Sequence, residues 1–322
     1  MVHQGVRLGV VVAHTSGSQS KKSSKSFSDV SVVKNFDPDR IFNLVGTNAG
    51  DYAVAGGLAK WLAGDASDGL VRCHNATTHG EWQGKETSSP RAYAFLSHSG
   101  HFGMVNSETG YQNLTRFFFG NVRVDGQLMI NELSLPPKVA KKYAGGKKIR
   151  ASYHFETTVS IRGKQWEMHR RVMSENSAVF RKFDELIDSK TGKPDPEQAP
   201  HLFSLFLDGR QRLNTKRASL GFAVDVRVLV PDYEVDGFLF LDDHFEGGYL
   251  FRDRIYFEAT PPATDKDEWK LKYGFESESS ADMPHTADLT ASDDRMVCEI
   301  PIEQPTPPGI KARLKITARA WN

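Results

Sequence analysis

Long apolar runs, cysteines and a surplus of charge of either sign are what this 322-residue sequence has least of. The longest apolar run near the start, Leu8 to Ala13, is far too short to span a bilayer, so no transmembrane segment is expected. That run follows Arg7 but leads into His14 and a Lys-rich stretch with no small-residue cleavage site, which argues against a secretory signal. A net charge of +1 gives no reason to expect a polyanion, and nucleic acid is not an expected partner. Cys73 and Cys298 are the two cysteines and fall in what read as different domains, which argues against a disulfide framework and is compatible with a reducing cytoplasm. No internal repeat is visible.

What is present is a globular composition, 39% hydrophobic and 25% charged, in a chain longer than one core usually supports. Two domains follow, 1–120 and 121–322, carrying net charges of about +2 and about −1. In the first, residues 6–13 read as a short buried strand and 15–30 as a mobile Ser/Lys-rich loop. Ile41 to Val45 and Arg91 to Leu96 read as strands. Ser107 suits the N-cap of a helix that Gly120 closes, with Tyr111, Leu114, Phe117 and Phe118 at helical spacing. From 121 onward, alternating runs at 151–161, 166–173, 201–207, 219–230, 235–241, 249–259 and 310–321 predict a mainly antiparallel β-sandwich. One exposed helix is predicted near 175–188, and 189–200 is a polar excursion within the domain.

Two loops of the first domain carry residues suited to acid-base chemistry. Ser67-Asp68-Gly69-Leu70-Val71 would ordinarily be a plain turn, and a lone histidine in Ser97-His98-Ser99-Gly100-His101-Phe102-Gly103 an ordinary solvated one. Together they place Asp before His, thirty residues apart, at the ends of successive strands and ahead of a helix. In this respect 41–119 resembles the C-terminal portion of an α/β-hydrolase of the lipase/esterase kind, whose acid sits in an Asp-Gly-Leu-Val loop. The resemblance implies an α/β fold, the closing part of a parallel sheet, and an ester or lipid substrate. It gives Asp68 the role of orienting acid and His98 that of general base, with His101 the rival; His98 is preferred because it comes first after the strand.

The family's nucleophile has no counterpart. No Gly-x-Ser-x-Gly occurs, and Ser16, Ser18 and Ser99 lack a strand-turn-helix context, so the nucleophile is unknown and a truncated hydrolase is the expectation. Where some of these lipases carry a calcium-binding Asp, this sequence has Ser99 and Gly100; neither metal nor cofactor is expected. Two alternatives stand beside the hydrolase. Cys73, His74, His79, His98 and His101 would converge in a metal protein, although their spacing matches no tight zinc pattern. A non-catalytic β-sandwich module binding lipid, carbohydrate or a protein partner would use 234–258, where Asp242, Asp243 and Glu246 share a turn between aromatic residues; core packing and a solvated hairpin tip explain the same pattern. A homo-oligomer is compatible with either, and Trp166, Trp269 and Trp321 are expected in the core rather than on a ligand platform.

Overall fold

Alternation of apolar and polar residues after residue 121 becomes long antiparallel strands in the structure, a computed structural model describing residues 31–48, 76–97, 103–211, 219–236, 243–261, 268–278 and 283–321. The amino-terminal part supplies β1 (Asn43–Gly46), β2 (His79–Trp82), β3 (Lys85–Ser88), β4 (Arg91–Ala94) and helix α1 (Glu108–Phe119). Next come β5 (Val122–Ser134), α2 (Pro137–Ala144), β6 (Ile149–Ile161), β7 (Glu167–Arg171), β8 (Val179–Lys182), α3 (Phe183–Leu186) and β9 (His201–Leu207). The remainder is β10 (Leu220–Val235), β11 (Asp243–Thr260), β12 (Lys270–Phe275), β13 (His285–Thr286), β14 (Thr290–Ser292), β15 (Arg295–Gln304) and β16 (Gly309–Ala320).

These strands form a seven-stranded sheet, in the order β13-β12-β11-β10-β6-β7 with β8 also on β6, and a five-stranded sheet in the order β14-β15-β16-β5-β9. One apolar core lies between them. Phe155, Val159, Val224, Val226, Ile255 and Phe257 come from the first sheet and Leu128, Leu205, Ile300, Ile302 and Leu314 from the second, all but fully buried. Each such side chain contributes about 1.5–3 kcal/mol relative to exposure, which makes this shared face the main source of stability. In β10 the inward set Phe222, Val224, Val226, Val228 alternates with outward Asp225 and Arg227, as period-two patterning requires.

The expectation of an α/β-hydrolase section is overturned. The two strands and the helix foreseen there exist, but β1 and β4 form only a two-stranded parallel pair, Asn43 opposite Arg91 through Gly46 opposite Ala94, in a chain otherwise dominated by antiparallel sheets. A parallel sheet needs cover on its faces. Here Phe42, Leu44, Ala92, Met104 and Phe117 obtain it by closing on Phe206 of β9 and Trp321 after β16, so the segment is a small layer on the five-stranded sheet rather than part of a lipase or esterase. The β-sandwich expectation is the part that agrees with the structure.

Ser107 is the N-cap of α1: its Oγ accepts from the Gly110 N–H at 2.9 Å. Ser107→Ala is expected to cost about 1 kcal/mol in a urea melt, the usual worth of such a cap, and a neutral result would mean the helix start is held by packing alone. The helix predicted near 175–188 is instead β8 followed by the four-residue α3. The strand predicted to stop at 230 runs on to Val235, and the one predicted from 249 starts at Asp243. Of the three tryptophans expected in the core only Trp321 is buried, its Nε1 donating to the Phe117 carbonyl at 2.7 Å; Trp166 is partly buried and Trp269 is exposed. Among the described residues no helix is long and apolar enough to cross a membrane.

Candidate functional site

The richest polar array lies on the outer face of the five-stranded sheet and starts from β5. Val124 and Leu128 point into the core, so Arg123, Asp125 and Gln127 point out. Strand register then fixes their neighbours. Arg319, Thr317 and Lys315 of β16 stand opposite Arg123, Asp125 and Gln127, and Arg295 of β15 stands opposite Arg319. On the other side, β9 sets Ser204 opposite Asp125 and His201 opposite Gln127.

The turn from β3 into β4 forms a wall over this floor. Its Ser89 is fixed by Thr78, whose Oγ1 donates to Ser89 Oγ at 2.7 Å while the Ser89 N–H donates to the Thr78 carbonyl at 2.9 Å. Between wall and floor is a cavity of about 280 Å³ lined by Ser88, Ser89, Arg91, Arg123, Asp125, Gln127, His201, Ser204, Arg295, Lys315 and Thr317.

Arg123 is the electrostatic centre of the floor. It is 6% exposed, and its Nε lies 2.8 Å from Asp125 Oδ2 while Nη1 donates to Asp39 Oδ1 at 2.9 Å. Asp39 also accepts from Arg319 Nη2 at 2.6 Å. Burial by itself would raise the Asp125 pKa, but the Arg123 guanidinium, with His201 and Ser204 adding to it, holds that carboxyl far below the usual carboxylate range. For His201, burial lowers the pKa and outweighs the opposing pull of Asp125, with Arg91 and Arg123 lowering it further. His169, buried behind it, is pushed down by burial and then by Arg171, His201 and Arg91. Both imidazoles are therefore neutral at neutral pH.

Serine, histidine and aspartate meet here, but not as a relay. Ser204 Oγ donates to Asp125 Oδ1 at 2.6 Å and lies 3.2 Å from His201 Nε2, while that same nitrogen is 3.6 Å from Asp125 Oδ1. A hydrolytic triad places the acid on one ring nitrogen and the serine on the other. His201 turns one nitrogen to both, its Nδ1 makes no hydrogen bond, and the Ser204 proton is directed at the carboxylate. The arrangement can orient hydroxyls and cations around an anion; it does not activate a nucleophile.

None of the described residues that line this cavity was singled out from the sequence as a site residue. Asp68, His98 and His101 lie outside the described residues, as do Cys73, His74, Ser16, Ser18, Ser99, Asp242 and the segments 6–13 and 15–30. The ends of the histidine loop are held, Met104 N–H donating to the Ser97 carbonyl at 2.8 Å. His79 is part of β2. Of the acidic turn, Asp243 pairs with Lys142 and Glu246 stands opposite Asp232. Asp232, Glu234 and His244 bring ligand atoms within 4.8 Å of one another, but they are solvent-facing and Glu234 Oε2 is taken by Arg150 at 3.2 Å. Cys298 is buried, which pushes its thiol up to about 12 and removes it as a thiolate ligand or nucleophile. Neither the family models nor the curated proteins searched match this chain.

Proposed function

We propose that this protein is a non-catalytic β-sandwich binding module whose outer-sheet cavity holds a small oxyanion or the anionic end of a larger ligand. Charge balance at the cavity carries the proposal. Arg123 and Arg319 are matched by Asp39 and Asp125, and Arg295 by Asp294 at 3.4 Å, which leaves Arg91 and Lys315 with no ion pair among the described residues. Two uncompensated cations beside the hydroxyls of Ser88, Ser89 and Thr317 suit an oxyanion, to which guanidinium and hydroxyl donors bind directionally.

Titration calorimetry with inorganic phosphate at low ionic strength tests this. Binding is expected, and Arg91→Ala or Lys315→Ala is expected to weaken it about tenfold or more each, the worth of a hydrogen bond to a charged group. Added salt should weaken it further, because the cavity is open to solvent. Ser204→Ala is expected to leave any background hydrolysis of a p-nitrophenyl ester unchanged. Absence of phosphate and sulfate binding, or ester turnover abolished in Ser204→Ala, would overturn the proposal.

A further inference from the structure

We infer that the cavity selects an oxyanion that carries its own proton, hydrogen phosphate, and rejects sulfate; this rests on the oxyanion-pocket proposal above. The discriminating group is Asp125, a carboxylate lining a cavity otherwise suited to anions. An ionised carboxylate offers about four lone-pair positions. Two are engaged, both on Oδ1, by Ser204 Oγ–H at 2.6 Å and Arg123 Nη2–H at 3.2 Å, while Oδ2 lies 2.8 Å from Arg123 Nε as an ion pair without a hydrogen bond. His201 Nε2, at 3.6 Å, is too far to take another. An open position on Oδ2 is left for whatever occupies the cavity.

A ligand oxygen brought against that position meets lone pairs and like charge unless it bears hydrogen. Ser204 cannot intervene, because its single proton already points at Asp125. Hydrogen phosphate solves this with an O–H donor to Asp125, a charge-assisted bond of the strong kind, while its unprotonated oxygens face Arg91, Lys315, Arg295 and the hydroxyls of Ser88 and Thr317. Sulfate has the same size and geometry and no proton at neutral pH. A phosphate monoester has lost its last phosphate proton above a pKa of about 6, so at neutral pH it resembles sulfate in this respect. Free phosphate and an esterified phosphate group are thereby distinguished.

The test is calorimetry on the full chain at neutral pH with inorganic phosphate, sulfate and glycerol phosphate. Phosphate is expected to bind at least about tenfold tighter than either of the others. In Asp125→Asn the side-chain amide can donate, so sulfate and glycerol phosphate should gain and the preference should collapse to within about twofold. Equal binding of phosphate and sulfate by the natural chain would overturn the selectivity while leaving the anion pocket standing. Binding of neither would overturn the pocket itself. Should Asp125→Asn not fold, as its thermal melt would show, the comparison on the natural chain decides alone; a folded variant with an unchanged preference would refute the role of Asp125.

Discussion

Truncation of Phe206 to alanine is expected to cost about 3–5 kcal/mol, the range for removing a fully buried phenylalanine, and to loosen the amino-terminal layer from the sheet. Phe206 is 0% exposed and faces outward from β9, opposite Arg123. Its ring meets Phe42 edge-on at 5.3 Å, Phe117 edge-on at 5.2 Å and Trp321 at 4.9 Å. One side chain thus joins β1, α1, β9 and the end of β16. Deleting it leaves a cavity among rings fixed by their own backbones, which cannot close without moving whole elements. Urea unfolding reads the loss directly, and a cost below about 1.5 kcal/mol would show that the layer is anchored elsewhere. Because Ser88, Ser89 and Arg91 belong to that layer, Phe206→Ala is also expected to weaken phosphate binding without touching the cavity.

What the sequence showed about this layer was local and what it concealed was tertiary. The Ser107 cap, the helical spacing through Phe118 and the strand at 91 are all present, because each depends on neighbours in the chain. Which sheet those elements join depends on Phe206 and Trp321, distant in sequence, and no local pattern distinguishes a two-stranded parallel pair from the edge of a larger parallel sheet. Strand 201–207 was legible to the residue, since its apolar run is bounded by turn formers.

Strand β5 was not legible, although it carries the centre of the site. Val122, Val124, Leu128 and Ile130 alternate as a strand should, yet Asp125-Gly126 between them reads as a turn. Gly126 serves close approach instead: a Cβ there would lie 2.3 Å from the Phe203 ring across the strand pair. Strand β15 was hidden similarly by Pro301, tolerated because β14 reaches only Arg295 to Val297 and leaves that edge unpaired. The cavity draws on residues near 90, 125, 201, 295 and 315, and only strand register brings these together. The chain order Asp125, His201, Ser204 is one that serine hydrolases use, but Ser204 lies within β9 without a strand-turn-helix elbow, and the geometry is not that of a triad.

Arg123 offers the sharpest test of how the site is held. Arg123→Met keeps the bulk of the stem and removes the charge, leaving Asp39 and Asp125 facing each other without their shared cation. Breaking a buried pair from one side costs about 3–5 kcal/mol, and both carboxylates here are mostly buried, so a loss of about 3 kcal/mol at neutral pH is expected. Both acids have pKa values below their ordinary range: burial opposes this, and Arg123 outweighs it for Asp125, with Arg319 assisting for Asp39. A folded pKa lower than the unfolded one stabilises at pH above the unfolded value, near 4, and that stabilisation fades as pH falls toward the folded value. The difference between the natural chain and Arg123→Met should therefore be full at neutral pH and shrink in acid, because protonated carboxyls no longer need the guanidinium. Urea melts of both proteins at neutral pH and at roughly pH 3 measure this. An equal difference at the two pH values would mean that Arg123 acts through packing of its stem, and the cavity floor would then owe its shape to van der Waals contact rather than to the two ion pairs.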